Sequence, residues 1–315
     1  MSASKIDFTG QVVIVTGAGR GLGAAYARDL ARRGAAVIVN DIGRTVDGES
    51  TAVATARSIE DIGGRARASE SDVVSRSGAI DLIESALENF GRIDGIVNNA
   101  GFLRPAFVEK MTQAQVDEVV DVHLKAAFHT TTAIWPHLVA NGGGSIIYTG
   151  SSATFGHEGN SNYAAAKSSI LGLTRSIAAE GAPHSIRVNC VLPFAQSLIA
   201  VDNPVEGAAM AHAREALDFL SERRTPESVA PLVTYLMSGG CEVTGEIFSA
   251  LAGRYARVLI SLTEGWVADR VSDVRAEDIA AHLSEIRAER GFFSPVSMAD
   301  EVDEVGHRLK RLGLV

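Results

Sequence analysis

The stretch QVVIVTGAGRGLGAAYARDLARRGAAVIVND, Gln11 to Asp41, decides how the rest of the chain is read. Val12–Val15 is a short, β-branched and wholly apolar run, the composition of a strand buried on both faces. A glycine-rich turn follows. AAYARDLARRG then carries helical periodicity and stops on Gly34. AAVIVND is a second buried strand, and it ends on Asp41. Together these segments make one βαβ unit of about thirty residues, the length such a unit needs.

The alternation continues in both composition and period. TAVATARSIEDIGG predicts a helix ending at Gly63-Gly64, ARASESDV a strand, SGAIDLIESALENFG a helix, and IDGIVNNAG a strand with a polar exit. QAQVDEVVDVHLKAAFHTTTAIWPHL reads as one continuous helix, GGSIIYTGSS as a strand, NYAAAKSSILGLTRSIAAEGA as a helix and SIRVNCVLPF as a strand. VAPLVTYLMSGG and TGEIFSALAG close the series as helix and strand. Such a series predicts an α/β fold, a doubly wound parallel sheet of Rossmann type with helices on both faces. From Arg254 the pattern breaks. RAEDIAAHLSEIRAER and MADEVDEVGHRLKRLG read as amphipathic helices joined by GFFSPVS. The expected organisation is therefore a sheet domain over residues 1–253 and a helical extension over 254–315, packed on that domain or on a partner subunit. Trp266, Phe292 and Phe293 are apolar enough to want burial there.

Composition narrows the function classes. A formal net charge of −9 argues against a nucleic-acid surface but leaves room for a local anion site. No apolar run approaches the roughly 20 residues that span a bilayer. The start, MSASKIDFTG, lacks the charged-then-apolar form of a secretory signal, and RLGLV matches no common retention or peroxisomal tripeptide. Cys190 and Cys241 are far apart without ligand-like neighbours, so they read as free buried thiols in a reducing compartment and not as a metal site. The expectation is a cytoplasmic protein without nucleic-acid or membrane partners.

Thr16–Gly23, TGAGRGLG, sits between a predicted strand and a predicted helix, the context in which a glycine turn cradles a pyrophosphate. Gly17 and Gly21 permit close backbone approach, and Gly23 allows tight helix–strand packing. The helix start contributes amide donors and a favourable dipole. Gly17, Gly19, Arg20, Gly21 and Leu22 are the candidate contacts of this turn. Asp41, at the end of the second strand, can accept hydrogen bonds from adenosine ribose hydroxyls and would repel a phosphate there, which favours NAD over NADP. Arg44 is the competing signal, since an arginine nearby can accommodate that phosphate. Further along, SNYAAAKSS (Ser161–Ser169) stacks Tyr163 and Lys167 on one helix face at i, i+4. Alone, that pair reads as an ordinary helical face.

With TGAGRGLG, Asn98-Asn99-Ala100-Gly101 and Tyr163-Ala-Ala-Ala-Lys167 in this order, the chain resembles the short-chain dehydrogenase/reductase family over roughly Phe8 to Gly253. The resemblance implies a nicotinamide cofactor and a catalytic set. Tyr163 would be the general acid/base. Lys167 would lower the phenol's pKa and hold the nicotinamide ribose, the positive nicotinamide adding to the effect. Ser151 would orient the substrate oxygen, with Ser152 as the alternative because the loop to Tyr163 is one residue shorter than usual. The same resemblance places Asp72 and Val73 at the adenine, Asn99, Ala100 and Gly101 along the adenosine and nicotinamide-ribose side, and Pro193 and Ser197 at the nicotinamide amide. Asn189 reads as structural.

Two departures stand out. His123 replaces the asparagine that supports the lysine through water in the family, and Pro193-Phe194 replaces a common proline-glycine. His123, the loop Arg44–Ser50, NAGFLRPAF and the C-terminal extension are similar to one subgroup, the (3R)-hydroxyacyl-CoA dehydrogenase unit of peroxisomal multifunctional enzyme type 2, also described as a hydroxysteroid dehydrogenase. That likeness implies NAD-dependent oxidation of a secondary alcohol, a 3-hydroxyacyl-CoA first and a hydroxysteroid or other bulky hydrophobic alcohol second. It also implies a homodimer or homotetramer in which the extension helps close the site. Phe194–Leu220 would form the substrate lid or, equally, a structural helix pair. The reading from another class is a non-catalytic dinucleotide-binding sensor or scaffold.

Overall fold

Seven strands, β1 (Val12–Thr16), β2 (Ala36–Asn40), β3 (Arg65–Ser69), β4 (Gly95–Asn98), β5 (Gly144–Thr149), β6 (Ile186–Phe194) and β7 (Ile247–Leu251), form a parallel sheet. Their order is β3-β2-β1-β4-β5-β6-β7 in this computed structural model, which describes residues 5–195 and 217–315. Every residue of β1 and β2 is buried, as two covered faces require. Side chains alternate between those faces. Val13, Val15, Val37 and Val39 share one core with Leu30, Ile59 and Val233, which come from α1 (Gly21–Arg32), α2 (Thr51–Glu60) and α7 (Ala230–Met237). The opposite face carries α3 (Arg76–Phe90), α4 (Gln113–Val120), α5 (Ala126–Ala140) and α6 (Ser161–Gly181).

Helix starts follow local chemistry. Ser50 and Ser75 accept the Val53 and Gly78 amides at the heads of α2 and α3, and Thr112 with Gln115 forms a capping box before α4. α1 differs, because no side chain caps it and no acid occupies its first turn. Its leading amides therefore point into the crevice outside β1 and β4, where the strand order reverses and ligands bind in this architecture.

Two expectations about elements change. The helix predicted from Gln113 onward is interrupted by a wide π-type turn, Asp121–Lys125, in which the Ala126 amide donates back to Asp121 O. The pattern break expected at Arg254 is a strand, β8 (Arg254–Val258), beside β7. Ala252 and Gly253, at φ 52° and 86°, make the tight turn that returns the chain to the sheet. Tyr255 Oη donates to Ser228 O at 2.6 Å, and Arg257 pairs with Glu246 at 3.1 Å. The chain forms two compact units, Met1–Arg257 and Val258–Val315.

The second unit holds α8 (Ala276–Ala281), α9 (Leu283–Ile286) and α10 (Met298–Arg311), with a β-bridge between Leu262 and Phe293. Trp266 stacks on His282 at 4.1 Å, and Arg308 donates to the Glu264 and Gly265 carbonyls. Trp266 and Phe293 are partly covered, whereas Phe292 stays exposed together with Met298, Val302 and Val305 of α10. No helix among the described residues is long and apolar enough to cross a membrane.

Gly23 shows how tightly α1 sits on the crevice. A Cβ built there would lie 2.2 Å from Gly17 O and 2.7 Å from Asn99 Nδ2. Both neighbours are fixed, so Gly23→Ala is expected to lower the unfolding free energy by about 1–3 kcal/mol, measured by urea denaturation. An unchanged midpoint would mean that the turn yields without cost.

Candidate active site

Gly17 has φ 60°, and a Cβ on it would lie 2.7 Å from Ala100 Cα, so the turn after β1 and the exit of β4 meet backbone to backbone. Thr16, not singled out by its sequence pattern, ties them together: its Oγ1 accepts the Asn99 and Ala100 amides, both at 3.0 Å. Asn99 Nδ2 donates to Thr16 O at 3.0 Å and to Gly17 O at 3.1 Å. The Asn99 side chain therefore helps hold the phosphate turn at the edge of the crevice. Gly21, at φ 55°, has nothing within 4 Å of a built Cβ. This open turn and the uncapped start of α1, with Arg20 exposed and Leu22 partly buried beside it, fit a pyrophosphate.

On the adenosine side, Asp41 accepts the Gly19 amide at 2.9 Å and the Gly43 amide at 2.7 Å. Asp72 is exposed and accepts the Val74 amide at 3.0 Å, with Val73 buried behind it. Arg44, the signal for a phosphate, is paired with Glu70 at 2.5 Å. Pro193 lies near the end of β6. Ser197 and most of the expected lid fall outside the described residues.

Ser151, Tyr163, Lys167 and His123 converge beyond the end of β5. Ser151 follows the strand in extended conformation and caps a short turn through the Ala153 amide at 3.1 Å. It is the Ser151 side chain, not that of Ser152, that acts to lower the pKa of the Tyr163 phenol. Tyr163 stands in the first turn of α6, where Asn162 Oδ1 accepts its amide at 2.8 Å. Asn162 is itself anchored by donating to the Arg104 and Gln115 carbonyls at 3.0 and 2.9 Å. One turn on, Lys167 is 4% exposed, and its Nζ donates to Thr149 O at 2.5 Å. No carboxylate pairs with it among the described residues.

Burial dominates the electrostatics. It pushes Lys167 down to about 8, opposed by Cys190, whose own thiol burial pushes up to about 12. It also holds the Tyr163 phenol above its ordinary value, with the Ser151 hydrogen bond opposing. Among the protein's own groups, burial outweighs what lowers the phenol pKa. The reason is geometric: the ammonium is turned toward Thr149 O and stands 5.8 Å from the phenol ring centroid. A further positive charge beside the phenol is needed to bring it down.

His123 sits in the π-type turn with its ring 5.1 Å from that of Tyr163, edge to face. Its Nε2 is 2.8 Å from Phe102 O, which requires Nε2 to carry the proton and leaves Nδ1 as an acceptor. Burial and the Lys167 charge hold its pKa well below the ordinary range, against the Phe102 hydrogen bond, so the ring is neutral. Gly101 makes room for it: a built Cβ would lie 2.0 Å from His123 Cε1. Gly101 thus serves the histidine. His123 Nδ1, Asn98 Nδ2 and Thr149 Oγ1 have no hydrogen-bond partner within the protein. All three border one cavity of about 20 Å³ that also touches Lys167. A polar space of that size suits a bound water. Asn98, given no role by its motif, and Thr149, outside every motif, are therefore part of the surroundings of the lysine.

The short chain dehydrogenase family model matches residues 11–197. A Mycobacterium tuberculosis chain assigned to the short-chain type dehydrogenases/reductases is 37% identical over 88% of this chain and 93% of its own length. Mouse peroxisomal multifunctional enzyme type 2 is 40% identical over 80% of this chain, which spans only 33% of that enzyme. The full-length type 2 enzyme of Drosophila melanogaster superposes with a TM-score of 0.79 at 28% identity, covering 98% of this chain and 51% of that one.

A lysine held near 8 inside the protein costs stability. Between about 8 and the unfolded value of 10.5, the unfolded chain binds the extra proton, so this group makes stability rise with pH through that window. Lys167→Met is expected to raise the unfolding free energy at pH 7 by about 1–3 kcal/mol, a gain that shrinks above pH 8. Urea titrations of both proteins at pH 7 and pH 10 check it; an equal or lower stability of the variant at pH 7 contradicts the assignment.

Proposed function

The chain belongs to the short chain dehydrogenase family, an oxidoreductase family acting on CH–OH groups with a nicotinamide dinucleotide, and on that premise we propose that it oxidises a 3-hydroxyacyl-CoA to the 3-ketoacyl-CoA with NAD. The observation that carries the reading is the convergence of Ser151, Tyr163 and Lys167 at the mouth of the crevice outside β1, β4 and β5. Gly17, Gly21 and the start of α1 would hold the pyrophosphate, and Asp41 the adenosine ribose. Bound nicotinamide supplies the hydride acceptor and, when oxidised, the extra positive charge that the phenol lacks.

The protein's own groups handle the proton. Ser151 Oγ orients the substrate hydroxyl toward the phenol, and Tyr163 Oη takes its proton. Lys167 Nζ, cationic at neutral pH, favours the phenolate, and the neutral His123 Nδ1 can accept from a water that solvates the ammonium. A general base placed in this way contributes about 10² to 10⁴ in rate.

Support for the acyl-CoA substrate comes from the likeness to the type 2 enzymes, of which this chain spans a minority. A hydroxysteroid or other bulky hydrophobic alcohol is the second reading. A non-catalytic sensor is disfavoured by the retained serine, tyrosine and lysine. The second unit, with Phe292, Met298, Val302 and Val305 exposed, would serve a homodimer or homotetramer. The proposed compartment is the cytoplasm.

Tyr163→Phe is expected to leave NADH binding within about twofold and to lower turnover of 3-hydroxyacyl-CoA by about 10² to 10⁴. The absorbance of reduced nicotinamide reads turnover, and fluorescence reads binding. Near-normal turnover would remove Tyr163 from the mechanism, while a wild type silent toward a panel of acyl-CoAs and secondary alcohols would favour the sensor. Removing residues 259–315 is expected to lower the oligomeric state, read by light scattering. A truncated chain of unchanged assembly would assign the second unit another purpose.

A further inference from the structure

The carboxylate of Asp41 is held from three sides. Its Oδ2 accepts the Gly19 amide at 2.9 Å, and its Oδ1 accepts the Gly43 amide at 2.7 Å. Thr51 Oγ1, at the head of α2, lies 3.0 Å from that Oδ1 and 3.0 Å from Gly43 O, so one hydroxyl proton is shared between them. The Thr51 amide also donates to Gly43 O, at 3.1 Å, and closes the loop Arg44–Ser50 at its base. One turn along α2, Thr55 Oγ1 donates to Gly19 O at 2.9 Å, so the same helix grips the phosphate turn as well.

Packing around this group leaves no slack. A Cβ on Gly19 would lie 2.3 Å from Thr51 Oγ1 and 2.8 Å from Asp41 Cγ, and one on Gly43 would lie 2.8 Å from Asp41 Oδ1. Neither glycine has positive φ, so close approach is what requires them. Gly19 therefore makes space for an aspartate and a threonine and does not simply shape a turn. An ionised carboxylate offers about four acceptor positions, of which the protein addresses three, leaving one on Oδ2. Charge-assisted bonds of this kind are the stronger ones, and here they fix the direction of that remaining position.

Resting on the NAD reading, the geometry points to Thr51 as the residue that sets dinucleotide specificity, by locking the Asp41 carboxylate as a fixed acceptor for the adenosine ribose diol. A free aspartate could turn away from a 2′-phosphate, but one tied to Gly19, Gly43 and Thr51 cannot. Arg44, the cation that could offset a phosphate there, is engaged by Glu70 in a surface ion pair. Thr51 acts through Asp41 and is a positioning residue.

The test needs no substrate. Dissociation constants of NADH and NADPH are measured by fluorescence for the wild type, Thr51→Val, Thr51→Ser and Gly43→Ala. Thr51→Val keeps the shape and loses the donor. It is expected to weaken NADH roughly tenfold, equivalent to about 1.4 kcal/mol, without weakening NADPH. Thr51→Ser should keep the wild-type ratio, and Gly43→Ala, whose methyl displaces Asp41 Oδ1, should match Thr51→Val. If Thr51→Val does not fold, Gly43→Ala carries the same comparison. A wild-type preference for NADH that survives intact in the folded variants overturns the role of Thr51 alone. Equal wild-type affinities for both dinucleotides overturn the NAD reading, and the proposal with it.

Discussion

A buried ammonium anchored on one backbone carbonyl is the constraint around which this site is built. Lys167 reaches Thr149 O from the second turn of α6, and no carboxylate offsets its charge among the described residues. A buried cation without a counter-ion is expensive to keep, and the same burial depresses the pKa of Lys167. The arrangement makes sense where an anion is formed nearby during the reaction. In the proposed reaction a phenolate at Tyr163, one helical turn away, would be such an anion. The fold thus keeps an electrostatic imbalance in the resting protein that the reaction would relieve.

The surroundings of the lysine are arranged to keep that imbalance. A carboxylate beside it would neutralise the charge, whereas His123 contributes only a lone pair. Its other ring nitrogen is committed to Phe102 O, and both burial and the ammonium oppose a second proton on the ring. The π-type turn Asp121–Lys125 brings the ring edge-on to Tyr163, and Gly101 leaves the space that the ring occupies. Wide turns of this type, costly in a regular helix, recur at functional positions. A similar economy governs the cofactor side. Thr16, Asn99, Thr51 and Thr55 spend their polar atoms on the backbone of the glycine turn and on Asp41, so the crevice is firm before anything enters it.

Much of this was legible in the order of residues. The apolar runs of β1 and β2, the glycine turn, the acid at the end of β2 and the Tyr163–Lys167 spacing are local patterns, and each element they predict is present. What was not legible depends on contacts between distant segments. Gly19 reads as a phosphate-turn glycine, yet the groups that exclude a side chain from it belong to Asp41 and Thr51. Asn99 reads as a ligand contact, and the bonds of its Nδ2 to the turn after β1 come from a segment more than eighty residues away. The RYARV strand has too little apolar signal to be found by period, and it forms because Ala252 and Gly253 turn it back onto an existing edge.

The sequence by itself determined the doubly wound sheet and the place of the glycine turn, because period and turn chemistry are properties of neighbouring residues, while Tyr163 and Lys167 stood out only through the family resemblance. Tertiary structure alone decided the charge states and the division of labour among polar groups. The phenol stands above its ordinary pKa, the imidazole is neutral and the carboxylate of Asp41 is locked, since desolvation and hydrogen bonding depend on what the folded chain brings alongside each group, and that is not written at the position itself.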